Sequence, residues 1–146
     1  MYVEDFAAGM VLETPGRTID ASDIALFGGL VGDLTPIHID EPAARAQGLP
    51  GRIAHGTLSL ATAIGLLTQL GVMGEAVIGA LSTEWSFLAP VVAGSTIRAT
   101  VTIESARVTS KPDRGVVVFA FDVFDQARTR VLEGRLTVMM RTRDHG

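Results

Sequence analysis

The sequence predicts an α+β fold in which one central helix packs against an antiparallel sheet. Residues 56–74 carry no charge, and this length suits a helix better than a strand. The segments that follow alternate apolar and polar side chains, which is the pattern of half-buried strands. Because these strands follow one another without intervening helices, layers of helix and antiparallel sheet are expected.

The N-terminal third is predicted to hold a strand and two short helices. The strand runs from Val11 to Ile19. Asp20 or Ser22 can cap a first short helix, and Glu41-Pro42 begins a second that continues to Gln47. Residues 33–38 are expected to form the loop between these helices.

The uncharged stretch is predicted to be a helix that is buried all round. Its length raises the possibility of a membrane span, which needs about 20 apolar residues. It contains four glycines and several threonines, however, and lacks the basic and aromatic flanks of a span. An apolar stripe of Leu58, Ala61, Leu66 and Leu70 is predicted to face the core.

Four strands are predicted in the C-terminal half. They cover Val77 to Leu88, Ile97 to Glu104, Val116 to Phe124, and Leu132 to Arg141. The third is almost wholly apolar, which predicts cover on both faces, by the core on one side and by a second subunit on the other. We therefore expect a homodimer or a dimer of dimers.

The composition limits the classes of function that this chain can have. With 146 residues and 47% hydrophobic content, the chain fits a single domain over 1–146 with a sizeable core. The net charge of −4 and scattered basic residues argue against nucleic acid as a partner. No cysteine is present, so a thiol nucleophile is excluded. The N-terminus lacks the features of a signal peptide, and a cytoplasmic protein that does not associate with membranes is predicted.

Two motifs contain the candidate reactive residues. Asp33 and His38 lie five residues apart in Gly-Asp-Leu-Thr-Pro-Ile-His, and Ile-Ala-His-Gly at 53–56 opens the uncharged stretch. A carboxylate and an imidazole can act as a general acid–base pair. Free N–H groups at the start of a helix, near Gly56, can stabilise a developing oxyanion. An aspartate and a histidine alone are a weak signal, since either can serve only the local structure.

Together the motifs resemble those of the MaoC-like acyl dehydratases, the family of (R)-specific enoyl-CoA hydratases. The family hallmark is Gly-Asp-x-Asn-Pro-(Ile/Leu)-His followed by Ile-x-His-Gly, and the likeness runs from about Val3 to Met140. The chain departs from the hallmark at Thr35, where the family usually has asparagine. The resemblance implies the hot-dog fold, in which a curved antiparallel sheet wraps around a central buried helix.

The resemblance also implies roles and partners. Asp33 and His38 would be catalytic, the backbone of Gly56 would donate to the thioester oxygen, and Thr35 and His55 would contact the substrate. The substrate would be a trans-2-enoyl thioester of CoA or acyl carrier protein, and neither metal nor redox cofactor is expected.

Several alternatives remain open from the sequence. His55 can contact the ligand or hold the loop by a hydrogen bond. Arg52 can meet a phosphate of CoA or be merely solvated. A metal site built from the two central histidines with Asp33 and Asp40 is conceivable without a recognised ligand spacing, and His145 is expected to be inert. The competing functions are a hot-dog acyl-CoA thioesterase and a non-catalytic acyl-CoA-binding subunit of a heterodimeric dehydratase.

Overall fold

A computed structural model describes the chain from Met1 to Arg143. Within these residues a turn of 3₁₀ helix is followed by six strands and four α-helices. In chain order the elements are the 3₁₀ helix Val3–Asp5, β1 Val11–Glu13, β2 Arg17–Ile19, α1 Ala21–Val31, α2 Pro36–Ile39, α3 Glu41–Ala46, α4 Gly56–Thr68, β3 Val77–Phe87, β4 Ser95–Val108, β5 Arg114–Phe124 and β6 Arg130–Arg141.

The strands form one antiparallel sheet in the order β1-β4-β5-β6-β3, and β2 pairs with β4. Phe119 on β5 lies opposite Ile103 on β4 and Leu136 on β6, and all three side chains are buried. Ala63 and Leu67 of α4 belong to the same apolar core. The predicted α+β arrangement of a helix against an antiparallel sheet is confirmed.

The predicted strand from Val11 to Ile19 is wrong in one respect, because it is two short strands. Pro15 lacks the N–H that a continuous ladder needs. The chain is held across the break by Thr14, whose N–H donates to the carbonyl of Ala99 (3.0 Å) and whose hydroxyl accepts from the Ala99 N–H (2.8 Å). Both strands therefore pair with β4 at different points along it.

The prediction that the central helix is buried all round is also wrong. Only Ser59, Ala63, Leu66 and Leu67 are buried in α4, and the helix ends at Thr68. Of the predicted stripe, Leu66 is buried, Leu58 and Leu70 are half-buried, and Ala61 is exposed. One face packs on the sheet, and small and hydroxyl side chains on the other reduce its apolar surface. None of the helices in residues 1–143 is long and apolar enough to span a membrane.

Strand β5, which was predicted to be covered by a second subunit, is not the most exposed strand of the sheet. Strand β5 lies inside the sheet and alternates: Phe119 and its inward neighbours are buried, whereas Val118, Ala120 and Asp122 on the other face are half-buried. Three large exposed apolar residues lie instead on β3, which within residues 1–143 pairs only with β6 and forms an edge of the sheet. They are Ile78, Leu81 and Phe87. The apolar run of β5 agrees with its position inside the sheet, and its contact with a second subunit stays a prediction.

Candidate active site

The Asp33–His38 segment is shaped by the ends of two helices. Helix α1 ends at Gly32, whose φ of 79° lies in the left-handed region that glycine tolerates. Pro36 then takes the first position of α2, where its missing N–H costs nothing. His38 therefore lies in a short helix, and the predicted loop is confined to the residues between Gly32 and Pro36.

His38 is buried, and its tautomer is fixed by a backbone carbonyl. Its Nδ1–H donates to the carbonyl oxygen of Ile53 at 2.7 Å, and the Ile53 N–H donates to the carbonyl of Ile37 at 3.1 Å. These bonds join α2 to the segment that leads into α4. With the hydrogen on Nδ1, the neutral ring keeps its lone pair on Nε2, the nitrogen available for proton transfer.

The carboxylate of Asp33 is held by Thr35. The Thr35 hydroxyl donates to Oδ1 of Asp33 at 2.6 Å, and the Thr35 N–H donates to the same oxygen at 3.2 Å. These two bonds, the hydroxyl's first, lower the pKa of the Asp33 carboxyl below its ordinary value, and the nearby His55 and His38 act in the same direction. Thr35 was expected to contact substrate, but its partner in the structure is the carboxylate.

His55 supports the same residue from the other side. Its Nε2–H donates to the backbone carbonyl of Asp33 at 2.9 Å. Its ring stacks on His38, with centroids 3.9 Å apart and planes 25° apart, and Phe27 lies 5.0 Å from its other side. This geometry matches the loop-holding alternative. Its Nδ1 is the one buried side-chain polar atom in residues 1–143 without a hydrogen-bond partner.

Sequence reasoning missed Gly28, which lets the Asp33–His38 segment lie close to α1. A Cβ on this residue would lie 3.0 Å from the carbonyl oxygen of Asp33 and 3.5 Å from the ring of His55. A glycine inside a helix normally lowers helix stability, so the pair Gly28-Gly29 was the available signal.

A cavity of about 420 Å³ lies beside His38 and the N-terminus of α4. Gly56, the first residue of α4, and Phe87 at the end of β3 both line it, and a Cβ on Gly56 would lie 2.6 Å from the Phe87 ring. The first N–H groups of an α-helix have no partner within it. The predicted backbone donor therefore lies at a cavity wall that Phe87 partly covers. Within residues 1–143, the residues that line this cavity do not include Asp33.

The polar groups of Asp33, His38 and His55 come together. One ligand-type atom from each lies within 4.8 Å of the others, whereas the carboxylate of Asp40 caps α3 through the Ala43 N–H (3.1 Å). Imidazoles bind metals in the plane of the ring. Because the two rings are stacked, one ion cannot lie in both planes unless a ring turns. The observed ring orientations therefore do not allow both histidines to bind one metal ion.

Two other candidates are less informative. The guanidinium of Arg52 lies 3.6 Å from Glu41, whose carboxylate also accepts the Arg52 N–H at 3.2 Å. Arg52 thus holds its own turn against α3, and this pairing offsets the charge that would attract a phosphate. His145 lies outside the described residues.

Comparisons with known proteins decide the family. The MaoC like domain matches residues 5–119. The chain belongs to the MaoC-like dehydratase family. It is 34% identical over 143 residues to an (R)-specific enoyl-CoA hydratase of Rhodospirillum rubrum, covering 97% of this chain and 93% of that protein. It is 32% identical over 140 residues to a 3-hydroxybutyryl-CoA dehydratase of Methylorubrum extorquens, covering 94% of this chain and 83% of that one.

The hot-dog fold expected of a MaoC-like protein is confirmed. The structure superposes with a TM-score of 0.83 on a Mycobacterium tuberculosis protein that has a double hot-dog fold, at 21% identity. The match covers 97% of this chain and 44% of that one, so the chain corresponds to about half of the double structure. This likeness concerns the fold alone.

Proposed function

We propose that this MaoC-like protein adds water reversibly to a trans-2-enoyl thioester, giving an (R)-3-hydroxyacyl thioester. The observation that carries the proposal is the cavity where the imidazole of His38 and the N-terminus of α4 meet, with the Asp33 carboxylate beside them. The related hydratase and dehydratase support the same class of reaction.

The site can supply each step of hydration. The ionised Asp33 accepts a proton from water while the water oxygen bonds to the β-carbon. The α-carbon receives a proton from Nε2 of protonated His38. Negative charge that develops on the thioester oxygen is stabilised by N–H groups at the start of α4, near Gly56. Loss of water reverses these transfers, and a solvent proton exchange restores the pair.

A coenzyme A or acyl carrier protein thioester is the proposed substrate, with no metal or redox cofactor. The cytoplasmic location and the single domain over 1–146 stay predictions. We also propose a homodimer, joined through the edge strand β3. Phe87, at the end of that strand, and the next residue, Leu88, line the cavity, which supports a substrate site near the proposed subunit boundary.

The deciding experiment incubates the protein with crotonyl-CoA and follows the enoyl absorbance and the release of free thiol separately. Loss of the absorbance without thiol is the expected result, with (R)-3-hydroxybutyryl-CoA identified by a stereospecific dehydrogenase. Release of thiol would indicate the thioesterase alternative. Binding without turnover of crotonyl-CoA or a longer enoyl-CoA would indicate a non-catalytic subunit.

A further inference from the structure

Two residues hold Asp33 at different points. His55 fixes its backbone carbonyl (2.9 Å), and Thr35 fixes Oδ1 of its carboxylate through the hydroxyl (2.6 Å) and the N–H (3.2 Å). Among residues 1–143, no hydrogen bond reaches the other oxygen, Oδ2. The carboxylate therefore has one oxygen engaged and one free to accept a proton.

The backbone places the threonine hydroxyl for this role. Thr35 precedes Pro36, and a residue before proline is restricted to extended backbone; its φ is −55° and its ψ is 133°. A β-branched side chain also has restricted rotation about χ1. The short Oγ1–Oδ1 distance is thus set by a stiff residue on a stiff backbone.

We propose that Thr35 is a positioning residue, whose hydroxyl locks the Asp33 carboxylate so that Oδ2 accepts the proton from the attacking water. The inference rests on the hydration reaction proposed above, and it gives Thr35 a role other than contact with substrate. Both donors from Thr35 stabilise the charged form of Asp33, and the lowered pKa of that carboxyl agrees with this.

The test compares Thr35→Val, which keeps the shape and the backbone N–H but loses the hydroxyl, with Thr35→Ser, which keeps the hydroxyl. The titration of Asp33 is followed by carbon NMR of labelled aspartate and assigned with Asp33→Asn, while crotonyl-CoA hydration is measured across pH. Thr100→Val is the matched control, because it removes a threonine-to-carboxylate bond (2.9 Å to Glu13) between β1 and β4.

Thr35→Val should raise the pKa of Asp33, move the acid limb of kcat/KM to higher pH, and lower kcat about tenfold, as expected for one bond to a charged group. Thr100→Val should leave all three near wild type, and Thr35→Ser, which keeps the hydroxyl without the β-branch, should stay closer to wild type than Thr35→Val. An unchanged Asp33 titration in Thr35→Val, or equal losses in the serine and valine variants, would overturn the proposal.

The readouts separate this proposal from the reaction itself. In one outcome, wild-type protein leaves every enoyl-CoA unchanged while Thr35→Val still shifts the Asp33 titration. The proposed reaction would then be wrong, and the hydrogen bond from the Thr35 hydroxyl to the Asp33 carboxylate would still be supported. If wild-type protein hydrates crotonyl-CoA and Thr35→Val matches it at every pH, the reaction stands and the positioning role fails.

Discussion

His38 and His55 each use one ring nitrogen to hold backbone, and this decides what the other nitrogen can do. The Nδ1–H of His38 bonds to Ile53, so Nε2 of the neutral ring remains basic beside the cavity. The Nε2–H of His55 bonds to Asp33, and its Nδ1 is buried. In the proposed reaction His38 moves protons, whereas His55 holds the backbone of Asp33.

Asp33→Asn and His38→Gln should each reduce crotonyl-CoA hydration by at least about 10²-fold with the fold intact, because each removes one member of an acid–base pair. The double variant should lose much less than the product of the single losses, since the residues act as a unit. Initial rates, with circular dichroism as the folding control, check this. Near-normal turnover in either folded variant would contradict the assignment.

Gly28→Ala should reduce activity, because its Cβ would press on the Asp33 carbonyl at 3.0 Å and displace the residue that His55 holds. Gly29→Ala is the control, since its Cβ would meet nothing within 4 Å and alanine stabilises a helix by about 1 kcal/mol relative to glycine. Gly29→Ala should therefore raise the melting temperature and keep the hydration rate near wild type, whereas Gly28→Ala should lower the hydration rate. Equal activity in both variants would count against a close-approach role for Gly28.

The sequence predicted the chemical residues better than their contacts. Asp33 and His38 were identified from spacing and resemblance. The bond from His38 to Ile53 spans fifteen residues, and it depends on how α2 packs beside the entry to α4. Thr35 was noticed as a departure from the family, but only the three-dimensional geometry shows its hydroxyl on the carboxylate.

At the scale of elements, α4 presents its N-terminus to the cavity only because its first residue is small. Gly56→Ala would bring a Cβ to 2.6 Å from the Phe87 ring, so either the ring or the helix end must move. We expect a loss of about tenfold to hundredfold in turnover, since small misplacements of a reacting group are costly. Steady-state kinetics with crotonyl-CoA measure it.

Gly65→Ala is the control for this change, because its Cβ would meet nothing within 4 Å in the same helix. If the Phe87 ring causes the loss, adding Phe87→Leu to Gly56→Ala should cost less than the two single changes combined. Wild-type turnover in Gly56→Ala would show that the packing of Phe87 against the start of α4 does not limit the reaction.

The predicted ends of helices and strands were wrong where a proline interrupted the periodic pattern of the sequence. Pro15 divided a predicted strand, and Pro36 began a helix inside a predicted loop. Each of the four strands predicted after α4 overlaps an observed strand, although the predicted Ile97 to Glu104 is shorter than β4. The exposure of α4 was not predictable, since the absence of charge does not show how much of a helix the sheet can cover.

For the whole molecule, acid should weaken the fold through carboxyls whose folded pKa is lowered. A hydrogen bond from Tyr2 and the charge of Arg143 lower the pKa of Asp5, and the Arg114 guanidinium lowers that of Asp113. Such groups stabilise the fold above the unfolded pKa of about 3.9, and their contribution disappears as pH falls through the folded value.

The free energy of unfolding should therefore decrease from about pH 5 downward, as the unfolded chain takes up protons first. Urea titrations at several pH values measure the slope. Asp5→Asn combined with Asp113→Asn should flatten that slope relative to wild type. An unchanged slope would show that these exposed pairs contribute nothing measurable, which is common for surface ion pairs.

The final prediction concerns assembly. Strand β3 is an edge strand, and an unpaired edge with apolar side chains invites pairing with another chain. Leu81 on this strand is 53% exposed, whereas Phe119, in the apolar run that was predicted to be covered by a second subunit, is fully buried in the core. A charge at Phe119 would unfold the chain and so would not report on assembly.

Leu81→Lys should convert a dimer into a folded monomer and sharply reduce hydration, because Phe87 on the same strand lines the cavity. Val108→Lys is the matched control, as Val108 is 47% exposed at the end of β4. Light scattering at micromolar concentration gives the mass, and the crotonyl-CoA assay gives the activity. A wild-type protein that is monomeric and active would refute the dimer. Loss of assembly in both lysine variants would place the interface elsewhere than β3, because only one of the two charges lies on that edge.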